Sequence, residues 1–192
     1  FRSEISDGRV RIPCMKVADK PKAGWRGIHM FTGPTALELH TRMYQRVLFP
    51  LKMNKAVIQC EQARWTAFPE IHNPISVSLN DLRTEFEFLR KNRVEPIPLI
   101  QSLGHMEWFF KPKSTRWLAI NPQYPYTLNT DLPEAKAAIR KIWDEAIDWL
   151  EPSTLHVGFD EIGMIGFNLP REKEVSLFRE QLSFLDRYAT TN

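Results

Sequence analysis

Apolar residues along this chain follow two periods. Short apolar runs read as buried strands, and stretches with apolar residues three and four apart read as helices. Trp25-Arg26-Gly27-Ile28-His29-Met30-Phe31 is the first predicted strand. Gly33-Pro34-Thr35 breaks it and opens a helix whose apolar face is Leu37, Tyr44, Val47, Leu48 and Leu51. Asn54–Cys60 is the second strand, and the loop after it carries Trp65, Phe68, Pro69, His72 and Pro74. Ser78-Leu79-Asn80-Asp81 is a capping-box-like start for a helix with Leu82, Phe86 and Leu89 toward the core. Val94–Ile100 is the third strand, although Pro96 and Pro98 each delete a ladder donor and argue against a central position. Gln101-Ser102-Leu103-Gly104-His105 leads from it into a loop with Trp108, Phe109, Phe110 and Trp117. Asp131-Leu132-Pro133-Glu134 opens the clearest helix, striped by Ala135, Ala138, Ile139, Ile142, Trp143, Ala146, Ile147 and Leu150. The run from Leu155 is the fourth strand, and Val175, Phe178, Leu182 and Leu185 mark a last amphipathic helix.

Strand and helix alternate four times, which predicts a parallel sheet with right-handed crossovers. The expected fold is α/β of the (β/α)8 TIM-barrel type. A full barrel takes about 250 residues, and this chain has 192, so about the first four βα units are expected here. Residues 1–22 are polar, with Val10-Arg11-Ile12 as a short strand. They read as the end of a preceding domain or a lid, and residues 23–192 as the partial barrel. The chain opens at Phe1 and is expected to be a fragment, a processed product or the ordered part of something longer. Half a barrel exposes sheet edges, so homo-oligomer pairing or a missing half-barrel is expected.

The chemistry concentrates in Leu155-His156-Val157-Gly158-Phe159-Asp160-Glu161-Ile162-Gly163. An apolar run ends there in two adjacent carboxylates, and α/β enzymes place chemistry at the C-terminal ends of parallel strands. The plain alternative is a solvated acidic turn. His156, within the strand, reads as structural. A metal site is a competing use of His105, His156, Asp160 and Glu161, but their spacing fits no His-x-His or His-Glu-x-x-His pattern. No metal or cofactor is assigned.

Composition narrows the partners. Basic and acidic residues number 26 and 23, and the basic ones are spread along the chain, so nucleic acid is not an expected partner. No apolar run is long enough to span a membrane. Cys14 and Cys60 read as free thiols. The compartment is open, with export to the periplasm or the medium as one option.

Several motifs then fall into one order. Trp25-Arg26-Gly27-Ile28, Lys52-Met53-Asn54, Pro98-Leu99-Ile100-Gln101-Ser102-Leu103-Gly104-His105, Asn121-Pro122 and His156-Val157-Gly158-Phe159-Asp160-Glu161 resemble the catalytic barrel of family 20 glycoside hydrolases, the β-N-acetylhexosaminidases. The resemblance implies a retaining, substrate-assisted hydrolysis of terminal β-linked N-acetylhexosamine without cofactor. Glu161 would be the general acid and later the base. Asp160 would hold the 2-acetamido group whose carbonyl oxygen attacks the anomeric carbon. His105 would sit behind Glu161, and Arg26 would grip sugar hydroxyls. Glu61 would stand in for an acidic pair after the second strand, and Trp65 and Trp108 would offer flat faces to a sugar ring. The physical logic agrees, because acid–base division of labour needs neighbouring carboxyls in environments that push them apart.

The chain also departs from that family pattern. Phe159 replaces a glycine, Gln101 and Leu103 stand where the pattern has Asp and Pro, and Gln59-Cys60-Glu61-Gln62 replaces a His-x-x-x-Asp-Asp run. Two other readings follow: a catalytically inactive barrel that binds carbohydrate or serves as a scaffold, and a metal-dependent hydrolase.

Overall fold

The structure is a computed structural model that describes residues 4–11, 14, 16–163 and 169–191. It opens with an antiparallel hairpin, β1 (Glu4–Ser6) and β2 (Arg9–Arg11). Asp7 and Gly8 form its turn at φ of 51° and 71°, the two positive φ values that a tight Asp-Gly hairpin turn requires. The short strand expected at Val10-Arg11-Ile12 is this β2, and Ile12 lies outside the described residues.

Three parallel strands follow in register and in chain order: β3 (Gly27–Phe31), β4 (Lys55–Gln59) and β5 (Glu95–Leu99). The crossovers contain α1 (Ala36–Met43) and α2 (Leu79–Lys91); α3 (Pro133–Leu150) and α4 (Arg171–Thr191) come after β5. Side chains alternate across a strand. Met30, Ala56 and Ile58 therefore join the main core with Leu82, Phe86 and Leu89 of α2 and Ile139, Ile142 and Trp143 of α3. Val57, Ile97 and Leu99 form a smaller cluster of their own, while His29 and Phe31 are exposed. Burying one large apolar side chain such as Trp143 or Phe86 is worth about 2–3 kcal/mol, and α2 and α3 each bring several such side chains to this core.

The helix ends are fixed by local chemistry. Ser78 caps α2 by accepting the Asp81 N–H at 3.0 Å. Pro133 begins α3, where its missing N–H matters least. Arg90 of α2 donates to the terminal carbonyls of α3, Leu150 and Glu151, which no helical N–H can reach.

Three expectations are corrected. The fourth strand is reduced to a bridge between Leu99 and His156. Its hydrogen bonds begin only where the His156 N–H meets the Pro98 carbonyl, followed by Ile100 N–H to His156 O and Ser102 N–H to Gly158 O. Pro96 and Pro98 face this side with no donor, which prevents a longer ladder. In the first helix, Val47 and Leu51 are exposed and the buried positions are Ala36, His40, Tyr44 and Leu48. The spacing of four, ordinary for one face of an α-helix, begins in α1 and runs on into the π-helix of Tyr44–Leu48. In α4 the buried residues are Leu177, Gln181, Leu185 and Tyr188. The expected stripe at Phe178 and Leu182 faces the bare edge of residues 155–159, where Phe178 meets Phe159 edge-on at 5.3 Å.

Candidate active site

The C-terminal ends of the parallel strands bring four of the expected residues together. Glu61 lies two residues beyond β4, Gln101 two beyond β5, and Asp160 and Glu161 end the segment that bridges to β5. His105 closes the loop that leaves Gln101.

Two hydrogen-bond clusters meet at the adjacent carboxylates. Asp160 Oδ2 accepts from Gln101 Nε2 at 2.8 Å, and the Asp160 N–H reaches back to Gln101 Oε1 at 3.4 Å. The Gln101 N–H donates to Glu61 Oε1 at 3.1 Å, and Gln59 Nε2 donates to Glu61 Oε2 at 2.6 Å. On the other side, Glu161 Oε2 accepts from the Tyr126 hydroxyl at 2.8 Å and lies 3.3 Å from His105 Nε2. His105 Nδ1 lies 3.2 Å from Glu107 Oε2. Neighbours in sequence thus face different partners, because Glu161 adopts φ of 53° and turns the chain between them. His105 is also left-handed, at 56°; such non-glycine residues cost about 1–2 kcal/mol each and cluster at functional sites.

Two glycines permit this packing. A Cβ on Gly104 would stand 2.0 Å from the Asp160 carbonyl oxygen, and one on Gly158 would stand 2.5 Å from Gln101 Oε1. Behind the site Ser102 is pinned from two helices. Its Oγ accepts the Trp143 indole N–H of α3 at 3.0 Å, and its carbonyl accepts the Gln181 amide of α4 at 2.8 Å.

Burial pushes the Glu61 carboxyl up to about 7; the Gln59 and Gln101 donors and nearby His105 pull it down, and Asp160 pushes it further up. The Tyr126 phenol is raised by burial and then by its bond to Glu161, so it stays a donor. Glu161 itself is open to water, its side chain 44% exposed. Among the described residues no group of three or more His, Cys, Asp or Glu side chains is placed to hold a metal ion.

Three expected ligand residues lie elsewhere. Arg26 precedes β3, at the opposite end of the sheet, and its guanidinium donates to the carbonyls of Lys52, Ala23 and Gly24. Trp65 is fully buried, and Trp108 packs edge-on against Phe109 at 5.7 Å. Both belong to the main core and offer no face to a ring from solvent, because their loops fold back over the helical layer. His156 is exposed, and its Nδ1 accepts the Gly158 N–H at 3.3 Å. Tyr126 and Glu107 went unnoticed in the sequence. Gln101 had a usable signal in its place just beyond a strand, whereas Tyr126, in a loop remote from Glu161, had none.

Comparison with known proteins places these features in context. No protein-family profile matches the chain. Hexosaminidase D of Bos taurus and of Homo sapiens are each 35% identical to it over 77 residues. That stretch is 39% of this chain and 22% and 16% of theirs. The GH20 β-N-acetylhexosaminidase of Streptomyces coelicolor A3(2) superposes with a TM-score of 0.69 at 17% identity, over 88% of this chain and 39% of that one. Streptomyces plicatus N-acetyl-β-hexosaminidase gives 0.68 at 16% identity, over 88% and 38%. The GH20 exo-β-N-acetylglucosaminidase of Vibrio harveyi, solved with N-acetylglucosamine, gives 0.62 at 19%, over 86% and 31%. The chain thus spans less than two fifths of each of these solved structures. It is similar to family 20 β-N-acetylhexosaminidases in fold over most of its length, and to hexosaminidase D in sequence over its 77 matched residues.

Proposed function

We propose that the chain is the first four βα units of a (β/α)8 glycoside hydrolase that removes terminal β-linked N-acetylhexosamine. Glu161 is the general acid that protonates the leaving glycosidic oxygen and then the base that activates water. Asp160 orients the 2-acetamido group, whose carbonyl oxygen attacks the anomeric carbon in a retaining, substrate-assisted reaction. The observation that carries this reading is the division of the adjacent pair. Asp160 is held from below by a buried amide donor, and Glu161 stands half-exposed with one oxygen tied to Tyr126 and His105. The two carboxylates are thereby aligned by different partners, a buried amide for one and a phenol and an imidazole for the other, and each keeps one oxygen free, as separate orienting and proton-transfer roles require. His105 supports the acid, and Glu61 supports Asp160 through Gln101.

A second reading, a barrel that binds carbohydrate without cleaving it, draws on the exposure of Glu161 and on the burial of Trp65 and Trp108. Hydrolysis of a chromogenic β-N-acetylglucosaminide separates the two. The protein should turn it over, a matching β-glucoside should be a poor substrate, and Glu161→Gln should lower the rate by about 10²–10⁴. Turnover that survives the substitution removes Glu161 from the mechanism, and no turnover by the parent protein favours the binding barrel.

A further inference from the structure

Gln101 is 2% exposed and makes three directed contacts. Its N–H donates to Glu61, its Nε2 donates to Asp160 Oδ2, and its Oε1 accepts the Asp160 N–H. One carboxamide therefore holds both the side chain and the backbone of Asp160. The backbone around it is fixed as well: Ser102, next in the chain, is bonded to Gly158, Trp143 and Gln181. Gly158 leaves the space that the carboxamide fills.

We propose that Gln101 is the positioning residue for Asp160, holding its side-chain oxygen by donation and its backbone N–H by acceptance, so that Asp160 is aligned for the acetamide without a second acid sharing its proton. The proposal rests on the hydrolase reading of Asp160. An amide NH₂ can only donate, so the Asp160 oxygen it meets must accept. A carboxylic acid at position 101, as in the family pattern this chain resembles, would instead share a proton with Asp160 and make its state pH-dependent. The site already crowds acids: Glu61 lies behind Gln101, with Glu161 and Glu107 on the far side and His105 between them. A neutral donor at Gln101 adds no further charge. Asp160 Oδ1 has no partner among the described residues, which leaves it for the ligand N–H.

The test compares Gln101→Glu and Gln101→Ala in the full chain by two readouts, the pH profile of kcat and KM and a ¹³C carboxyl NMR titration. Gln101→Glu should move the pH optimum upward by about one unit or more, because a shared proton must leave first. Its spectra should show a new carboxyl transition that disappears in Gln101→Glu combined with Asp160→Asn. Gln101→Ala should lower kcat about tenfold or more, the loss of a charge-assisted hydrogen bond, and leave the optimum in place. Equal loss in both variants at an unchanged optimum would mean that Gln101 only supports the loop, and the proposal fails. If the parent protein cleaves nothing, the hydrolase reading fails separately. The NMR transition still decides, because its absence from Gln101→Glu overturns the contact itself.

Discussion

The Tyr126 hydroxyl donates to Glu161 Oε2 at 2.8 Å across 35 residues of chain. It ties the third βα loop to the acid proposed to act at the fourth strand. The phenol is buried and faces an acceptor, so its proton stays in place. His105 approaches the same oxygen at 3.3 Å, so among the described residues Oε1 is the Glu161 oxygen left open.

Tyr126→Phe removes that donor and keeps the ring. A hydrogen bond to a charged group is worth about 1.5–3 kcal/mol, so kcat should fall roughly 10- to 100-fold with little change in KM. Steady-state kinetics beside a thermal melt checks this. An unchanged kcat would show that the hydroxyl does not position Glu161.

Glu61 predicts a pH-dependent stability. Burial raises its folded value to about 7 from an ordinary 4.5. A raised acid stabilises the fold fully below its unfolded value, and that contribution is lost as pH climbs through the folded one. The window is thus about pH 4.5 to 7, and the size is about 3 kcal/mol. Denaturant unfolding at pH 4 and pH 8 should show the parent losing about this much relative to Glu61→Gln, which has no proton to release. Parallel pH slopes in the two proteins would refute the assignment.

Gly104→Ala places a methyl group against the Asp160 carbonyl, which backbone cannot evade cheaply. The overpacking should cost about 1–3 kcal/mol and displace the Asp160–Glu161 turn, reducing turnover with it. Gly24→Ala is the control, because a Cβ there meets nothing within 4 Å. Chemical denaturation of both variants distinguishes a local clash from a general intolerance of alanine.

Much of the fold is legible in the sequence. The three parallel strands lie within one residue of the apolar runs at Asn54–Cys60 and Val94–Ile100, and within the run at Trp25–Phe31. The broad stripe of α3 is buried from Ala135 to Leu150. The faces of α1 and α4 were misplaced for particular reasons. Val47 and Leu51 lie on the solvent face of the first helix, whose buried face includes the polar His40, and the α4 stripe at Phe178 and Leu182 points to an open edge. The aromatic loops misled in the same way, since apolarity alone does not say whether Trp65 and Trp108 turn outward to a ligand or inward to the core.

The sequence by itself determined the order of elements, the α2–α3 core and the acidic pair at the end of the fourth apolar run, because these follow from local periodicity and chain connectivity. Tertiary structure alone decided who stands beside whom. It sent Arg26 to the far end of the sheet and turned Glu161 away from Asp160. It also set Gln101 between Glu61 and Asp160 and brought Tyr126 to Glu161. Those pairings join residues as many as 59 positions apart. They depend on where parallel strands end and on which backbone sites lack a Cβ, and no local pattern encodes that.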